Sequence, residues 1–229
     1  MKKGTFYGIG VGPGDPELLT LKAVLVMKRC RVIAAPKTAG ENMTALEIAK
    51  ASVDLSDKVI LPLPFLMTSD LKKAEEGHRS AAEAVLAYLR EGQDVAMLTL
   101  GDVSVYSTYG YLAEYVEAEG YPIEMIPGVT SFCAAAAALK ISLTRKDKPV
   151  HIIPVGYGNP EETLRLAGTH VLMKAGRKLP EVREMLSHMG LNEQAGMVVN
   201  CGLPGEKVYG SIDEAGDENG YFATIIVRK

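Results

Sequence analysis

Residues 94–109 read DVAMLTLGDVSVYSTY. The run is continuously apolar over residues 95–98 and breaks at Gly101-Asp102. That predicts a strand over 94–100 buried on both faces, the habit of a parallel sheet. The segment 105–119 behind it reads as a helix ended by Gly120. The same strand–loop–helix unit recurs on either side. Upstream, strands are expected at 5–11, 32–35 and 58–63, and helices at 17–29, 43–51 and 70–91. In 17–29, Leu18, Leu21, Val24, Leu25 and Lys28 recur at helical spacing, with Asp15 and Pro16 standing where a helix starts. In 70–91 charges occupy one face, and Ala81, Val85, Tyr88 and Leu89 the other. Downstream come a strand at 122–126 and an Ala-rich helix at 130–139. Strands alternating with helices imply an α/β domain whose mainly parallel sheet carries helices on both faces.

The rhythm breaks after Lys140. Segment 141–149 is polar and carries Arg145, Lys146 and Lys148. It reads as a linker joining an N-terminal α/β domain, 1–140, to a C-terminal α/β domain, 150–229. The second domain predicts strands at 150–155, 170–174, 196–201, 207–209 and 222–227, with helices at 161–166 and 179–189. Three closely following strands at its end suggest antiparallel pairing and therefore a mixed sheet.

Composition narrows the function. The chain has 229 residues, 47% hydrophobic and 23% charged, as ordinary globular proteins do. Its longest apolar stretch, 132–139, is far short of the ~18 residues that span a membrane. The N-terminus leads into a strand, not a signal-peptide core. The three cysteines, Cys30, Cys133 and Cys201, form no metal pair or disulfide framework, which fits a reducing cytoplasm. A net charge of −3 argues against a broad nucleic-acid-binding face.

Three strand-end motifs stand out. Residues 8–16, GIGVGPGDP, end the first strand in glycines that admit positive φ or close approach of a ligand. They lack the spacing of the dinucleotide fingerprint and the acid ~20 positions on, and no Gly-Lys-Ser/Thr follows. A tight turn and a ligand loop are both open readings. In residues 98–109, Asp102 either caps the next helix or accepts from a ribose hydroxyl. In residues 126–131, IPGVTS, Thr130 or Ser131 either caps a helix or meets a ligand. Together the three loops would line one rim of the sheet. None carries a His or a metal-like cluster, and His78, His151, His170 and His188 are scattered. A reaction run by positioning a reactive cosubstrate fits this better than nucleophilic or metal chemistry.

Taken in order, GIGVGPGDPELLTLKA (8–23), LTLGDVSVYSTYGYL (98–112), IPGVTSFCAA (126–135) and VLMKAGR (171–177) resemble a tetrapyrrole (corrin and porphyrin) methyltransferase of the cobalamin pathway. The second and fourth resemble the branch that methylates C20 of precorrin-2 or cobalt-factor II. The resemblance covers nearly the whole chain. It implies two α/β domains with S-adenosylmethionine in the cleft between them, and a homodimer. It implies that Gly12 and Gly14 shape the tetrapyrrole side of that cleft, with Pro13 beside the cosubstrate. It places the cosubstrate against Leu100, Gly101, Asp102, Val103, Val105 and Tyr106, and against Thr130 and Ser131. In the second domain it points to Met173, Lys174 and Ala175, to Cys201 and Gly202, and to Ala223 and Thr224. Much of the family has Gly-Asp-Pro where this chain has Gly101-Asp102-Val103, so a fixed φ is relaxed here.

The expected chemistry holds an electrophilic methyl in line with a meso carbon and excludes water. Asp102 and Tyr106 are the catalytic candidates for taking up a proton. The substrate class is rich in carboxylates, so basic groups must be local. Lys37, Arg79 and Arg177 are the substrate-binding candidates, and Arg145, Lys146, Lys148 and Lys174 are further cations to consider. The rival readings are methylation at C11, at C17 or of uroporphyrinogen III, and a relative acting on diphthine or RNA. A non-catalytic tetrapyrrole carrier and a nicotinamide dehydrogenase are the readings from other classes. No metal, nucleic-acid or membrane partner is expected.

Overall fold

Five parallel strands form the first sheet: β1 (Phe6–Gly10), β2 (Val32–Lys37), β3 (Val59–Pro64), β4 (Val95–Thr99) and β5 (Ile123–Ile126), in the order β3-β2-β4-β1-β5. The computed structural model describes residues 3–37, 42–65, 68, 70–156, 158–216 and 222–229. The central strands β1 and β4 are buried at every position, as their apolar runs require. Side chains alternate across the sheet. Phe6, Val32, Ala34, Val95 and Met97 pack on Ala81, Val85 and Leu89 of α3 (Leu71–Arg90) and on Leu112 and Val116 of α4 (Tyr109–Ala118). Ile9, Ile33, Ala96 and Leu98 turn to the other face and are fully buried. There α2 (Thr44–Ser52) packs on β2 and β4, and Arg29, ending α1 (Leu21–Arg29), lies 5.0 Å over the Tyr7 ring. Helices on both faces are as expected.

Two helices depart from their expected extents. The segment expected as one helix over 17–29 is a 3-10 turn, Pro16–Leu18, and then α1. Between them Leu19 and Thr20 are extended, and Thr20 Oγ1 accepts from Ala23 N at 3.1 Å. The hydroxyl restarts the helix by satisfying one of its orphan donors. The buried side of α1 is Ala23, Val26 and Met27, whereas Leu21 and Leu25 face outward at 83% and 67% exposure. The helix expected from residue 105 starts at Tyr109, because Tyr106 is left-handed (φ 50) and Ser107 Oγ accepts from Tyr109 N at 3.0 Å.

The second sheet is mixed, in the order β6-β7-β10-β8-β9. β6 (Val150–Pro154) and β7 (Thr169–Met173) pair in parallel. The last strand, β10 (Ala223–Arg228), inserts antiparallel between β7 and β8 (Ala195–Val199), and β9 (Lys207–Tyr209) pairs antiparallel with β8. Leu179, Val182 and Leu186 of α7 (Leu179–His188) cover one face against Leu172, Met197 and Ile225. A short α6 (Pro160–Leu164) follows β6.

The other face settles the boundary between the units. Ala135 and Ala136 of α5 (Ser131–Ala138) pack on Val171, Val198 and Ile226, with Ile141 and Leu143 partly buried on the same cluster. The chain therefore divides into Met1–Thr130 and Ser131–Lys229, not at a linker over 141–149. The small side chains of α5 let it lie close on the second sheet, which takes it out of the first domain to which its place in the sequence assigned it.

Candidate functional site

The order β4-β1-β5 makes neighbours of the three strands whose carboxyl ends carry the three motifs. The loops after them do more than share a rim. Val11 N donates to Thr99 O at 2.9 Å, Gly12 N to Gly101 O at 3.1 Å, and Gly101 N to Gly12 O at 2.7 Å. The pairing thus continues past the strands as an antiparallel bridge. The third loop crosses beneath it. A Cβ on Gly10 would stand 2.6 Å from Gly128 N and 2.7 Å from Gly101 O, and one on Gly128 would stand 2.4 Å from Gly101 O. Three backbones meet where no side chain fits at Gly10 or Gly128, and Gly101 has a positive φ of 75, which together explain the three glycines.

Asp102 fastens this crossing. Its Oδ2 accepts from Gly128 N at 2.8 Å, tying the second loop to the third. Its Oδ1 accepts from Ser104 N at 2.8 Å and from Ser104 Oγ. Burial alone would raise the pKa of this carboxyl, but the Ser104 and Gly128 donors outweigh it and hold the pKa below the ordinary value. With both oxygens engaged and protonation disfavoured, Asp102 is built as a brace rather than as a proton acceptor. Val103 is 3% exposed and packs into the α3–α4 core. It has only main chain to offer a ligand.

Around the crossing, Gly12, Pro13 and Gly14 are buried, Gly12 with φ 80. Leu100 and Val105 are half-buried, and Tyr106 is 47% exposed. Thr130 Oγ1 is buried with no hydrogen-bond partner among the described residues. An orphaned hydroxyl costs about 1–3 kcal/mol unless something pairs with it. Its presence at the end of the third loop fits a polar cosubstrate such as the one the resemblance implies. Lys37 ends β2, and Arg79 is exposed on α3.

In the second unit the expected residues gather at one end of its sheet. Thr224 pairs with Met173 and Ala223 with Val199, just before Cys201 and Gly202. Two left-handed residues shape the turns there, Lys174 (φ 59) and Asn200 (φ 53). Ala175 is fully buried. Gly202 N donates to Glu206 Oε2 at 2.6 Å, and burial pushes the Cys201 thiol up to about 11, so it stays protonated. Arg177 lies in the 3-10 turn Gly176–Lys178, and its side chain falls outside what is described. Arg145 and Lys148 flank Thr169, at the opposite end of β7 from Met173. They do not join the other second-unit positions. Sequence reasoning gave no part to Ser104, although a Ser two residues after a loop Asp is a signal for such a turn.

The sequence profile described as Tetrapyrrole (Corrin/Porphyrin) Methylases matches residues 5–216. A Sinorhizobium sp protein named precorrin-2 C(20)-methyltransferase is 32% identical over 98% of this chain and 95% of its own. A Salmonella typhimurium protein named cobalt-precorrin-2 C(20)-methyltransferase is 30% identical over 99% and 97%. Among solved structures, a uroporphyrin-III C-methyltransferase from Thermus thermophilus, complexed with S-adenosylhomocysteine, superimposes with a TM-score of 0.73 at 24% identity. It covers 99% of this chain and 98% of that one, a likeness of fold.

Proposed function

Because the chain belongs to the tetrapyrrole (corrin/porphyrin) methylase family, we propose that it transfers a methyl group to C20 of precorrin-2 or cobalt-factor II in cobalamin biosynthesis. What supports this most is the likeness, over nearly the full length of both chains, to relatives named for methylation at C20. In this reading S-adenosylmethionine supplies an electrophilic sulfonium methyl.

The protein's share is positioning. We assign the cosubstrate to the rim of the first sheet, at Pro13, Leu100, Gly101, Asp102, Val103, Val105 and Tyr106, with Thr130 and Ser131. Asp102 acts there by fixing the Gly128 main chain beside Gly101, and Thr130 Oγ1 gains a partner. From the second unit we assign Met173, Lys174, Ala175, Cys201, Gly202, Ala223 and Thr224. Gly12 and Gly14 face the tetrapyrrole in this reading. Lys37, Arg79 and Arg177 take its carboxylates, an Arg fork gripping one bidentately. Since Asp102 is engaged, Tyr106 is left to handle the proton released when the carbon–methyl bond forms. A homodimer working in the cytoplasm belongs to the same reading. Among the described residues no helix is long and apolar enough to cross a membrane.

The test is anaerobic incubation with S-adenosylmethionine and, separately, precorrin-2 and cobalt-factor II, read by mass spectrometry and carbon NMR. One added methyl at C20 is expected, and the faster substrate identifies the pathway. A methyl at C11 or C17 would overturn the C20 assignment, and no methyl on either substrate would overturn the reading itself. Tyr106→Phe separates roles: a lower kcat at unchanged KM supports proton handling, and unchanged kcat removes it.

A further inference from the structure

The cations between α5 and β6 have a place that the methyl-transfer reading leaves unused. Arg145 and Lys148, with Arg228 and Lys229 at the end of β10, line a hollow of about 360 Å³ over Thr169. Among the described residues of its lining, Arg145, Lys148 and Arg228 stand against one acidic side chain, Glu193, on a chain whose net charge is −3. Asp147 lies beside it in sequence, exposed. Lys148 is held in place at the hollow, its Nζ donating to the main-chain oxygen of Lys229 at 2.8 Å, whereas Lys229 Nζ donates to Leu164 O, which does not line the hollow. Arg145 and Arg228 make no ion pair with the described residues.

Like charges gathered around one hollow repel one another, and an anion that bridges them reverses the sign of that energy. Guanidinium groups bind phosphate or carboxylate oxygens two at a time, and the volume is at the small end for ligand sites. The hollow is separate from the second-unit positions assigned to the cosubstrate. Thr224 pairs with Met173 at one end of the β7–β10 ladder and Arg228 with Thr169 at the other. Four residues of strand put them roughly 13 Å apart.

We propose that this hollow is a second ligand site, taking a small polyvalent anion bound through Arg145, Lys148 and Arg228. The proposal does not depend on which carbon, if any, is methylated.

Calorimetric titration of the intact protein with pyrophosphate and, separately, with citrate tests it, at an ionic strength held constant with sodium chloride. Saturable binding of at least one anion is expected, at one per chain. Tighter pyrophosphate points to a phosphorylated ligand, and tighter citrate to a polycarboxylate. The double variant Arg145→Gln, Arg228→Gln should weaken that binding at least tenfold, while Lys72→Gln on the exposed face of α3 leaves it unchanged. Circular dichroism checks that both variants fold, and Lys148→Gln is the substitute if the double variant does not. No saturable binding overturns the proposal. So does equal binding by the wild type and the Arg variant, or equal weakening by Lys72→Gln.

Discussion

The two units solve the same problem, a sharp turn at the carboxyl end of a buried strand, by different means. In the first unit the loops after β1, β4 and β5 touch backbone to backbone, and a single Cβ at Gly10 or Gly128 would collide at 2.4–2.8 Å. In the second unit the turns after β7 and β8 are made by Lys174 and Asn200, residues with full side chains at φ 59 and 53. At Gly10 and Gly128 the first arrangement is steric and admits one residue type, beside the positive φ of Gly12 and Gly101. The second is conformational, and any residue can adopt it at a cost of about 1–2 kcal/mol. A steric demand writes glycine into the sequence, and a conformational demand need write nothing.

The comparison breaks first at Gly128. If the crossing is as tight as it stands, Gly128→Ala must displace the Gly101 carbonyl. We expect a loss of about 2–4 kcal/mol in urea unfolding, together with loss of methyl transfer. Gly110, inside α4 with open space around it, is the control. Gly110→Ala should stabilise by about 0.5–1 kcal/mol, since there only the helix preference of alanine acts. Equal stability of the two variants would show that the loops do not press on each other.

Asp102→Asn is next in size. The amide keeps the shape but offers one acceptor atom where Gly128 N and Ser104 together need two. Turning an NH2 toward either donor leaves that part-buried donor without its partner, at about 1.5–3 kcal/mol for a bond to a charged group. The pH dependence has a definite sign. The folded pKa of Asp102 is lowered, so its contribution is complete above the unfolded carboxyl value of about 3.9 and is lost as pH falls from there through the folded value. Urea titrations of wild type and variant should therefore differ most at neutral pH and converge below about pH 4. A constant difference down to pH 2 would remove the brace.

How far the fold was legible follows from the same contrast. The parallel sheet was readable because β1 and β4 are buried at every position and are apolar or glycine at all of them but Thr99. The rim of the first unit was readable from Gly10, Gly12, Gly101 and Gly128. What those loops do to each other was not. Asp102 looked like a helix cap or a base, because its partner Gly128 N is 26 residues away and sequence spacing carries no long-range pairing. The buried face of α1 was not legible for a related reason. Leu21 and Leu25 have helical spacing, yet the start set by Thr20 turns Ala23, Val26 and Met27 to the sheet. The place of α5 was hidden because an Ala-rich helix is apolar on every side and suits either sheet. The basic segment 141–149 showed its charge but not its neighbours Arg228 and Lys229, which β10 brings to it.

The smallest effect sharpens the comparison from the other side. Lys174 holds a left-handed conformation that glycine adopts freely, so Lys174→Gly should relieve strain. The flexibility it adds to the unfolded chain takes part of that back. We expect a net gain of about 0.5 kcal/mol, visible as a higher urea midpoint at unchanged slope. Asn200→Gly should change less, because asparagine already tolerates this region better than lysine does. The turn after β7 would then be one where the chain carries strain for the sake of what Lys174 places there. If both variants lose stability, the side chains and not the backbone hold these turns, and the division between a steric first unit and a conformational second unit fails.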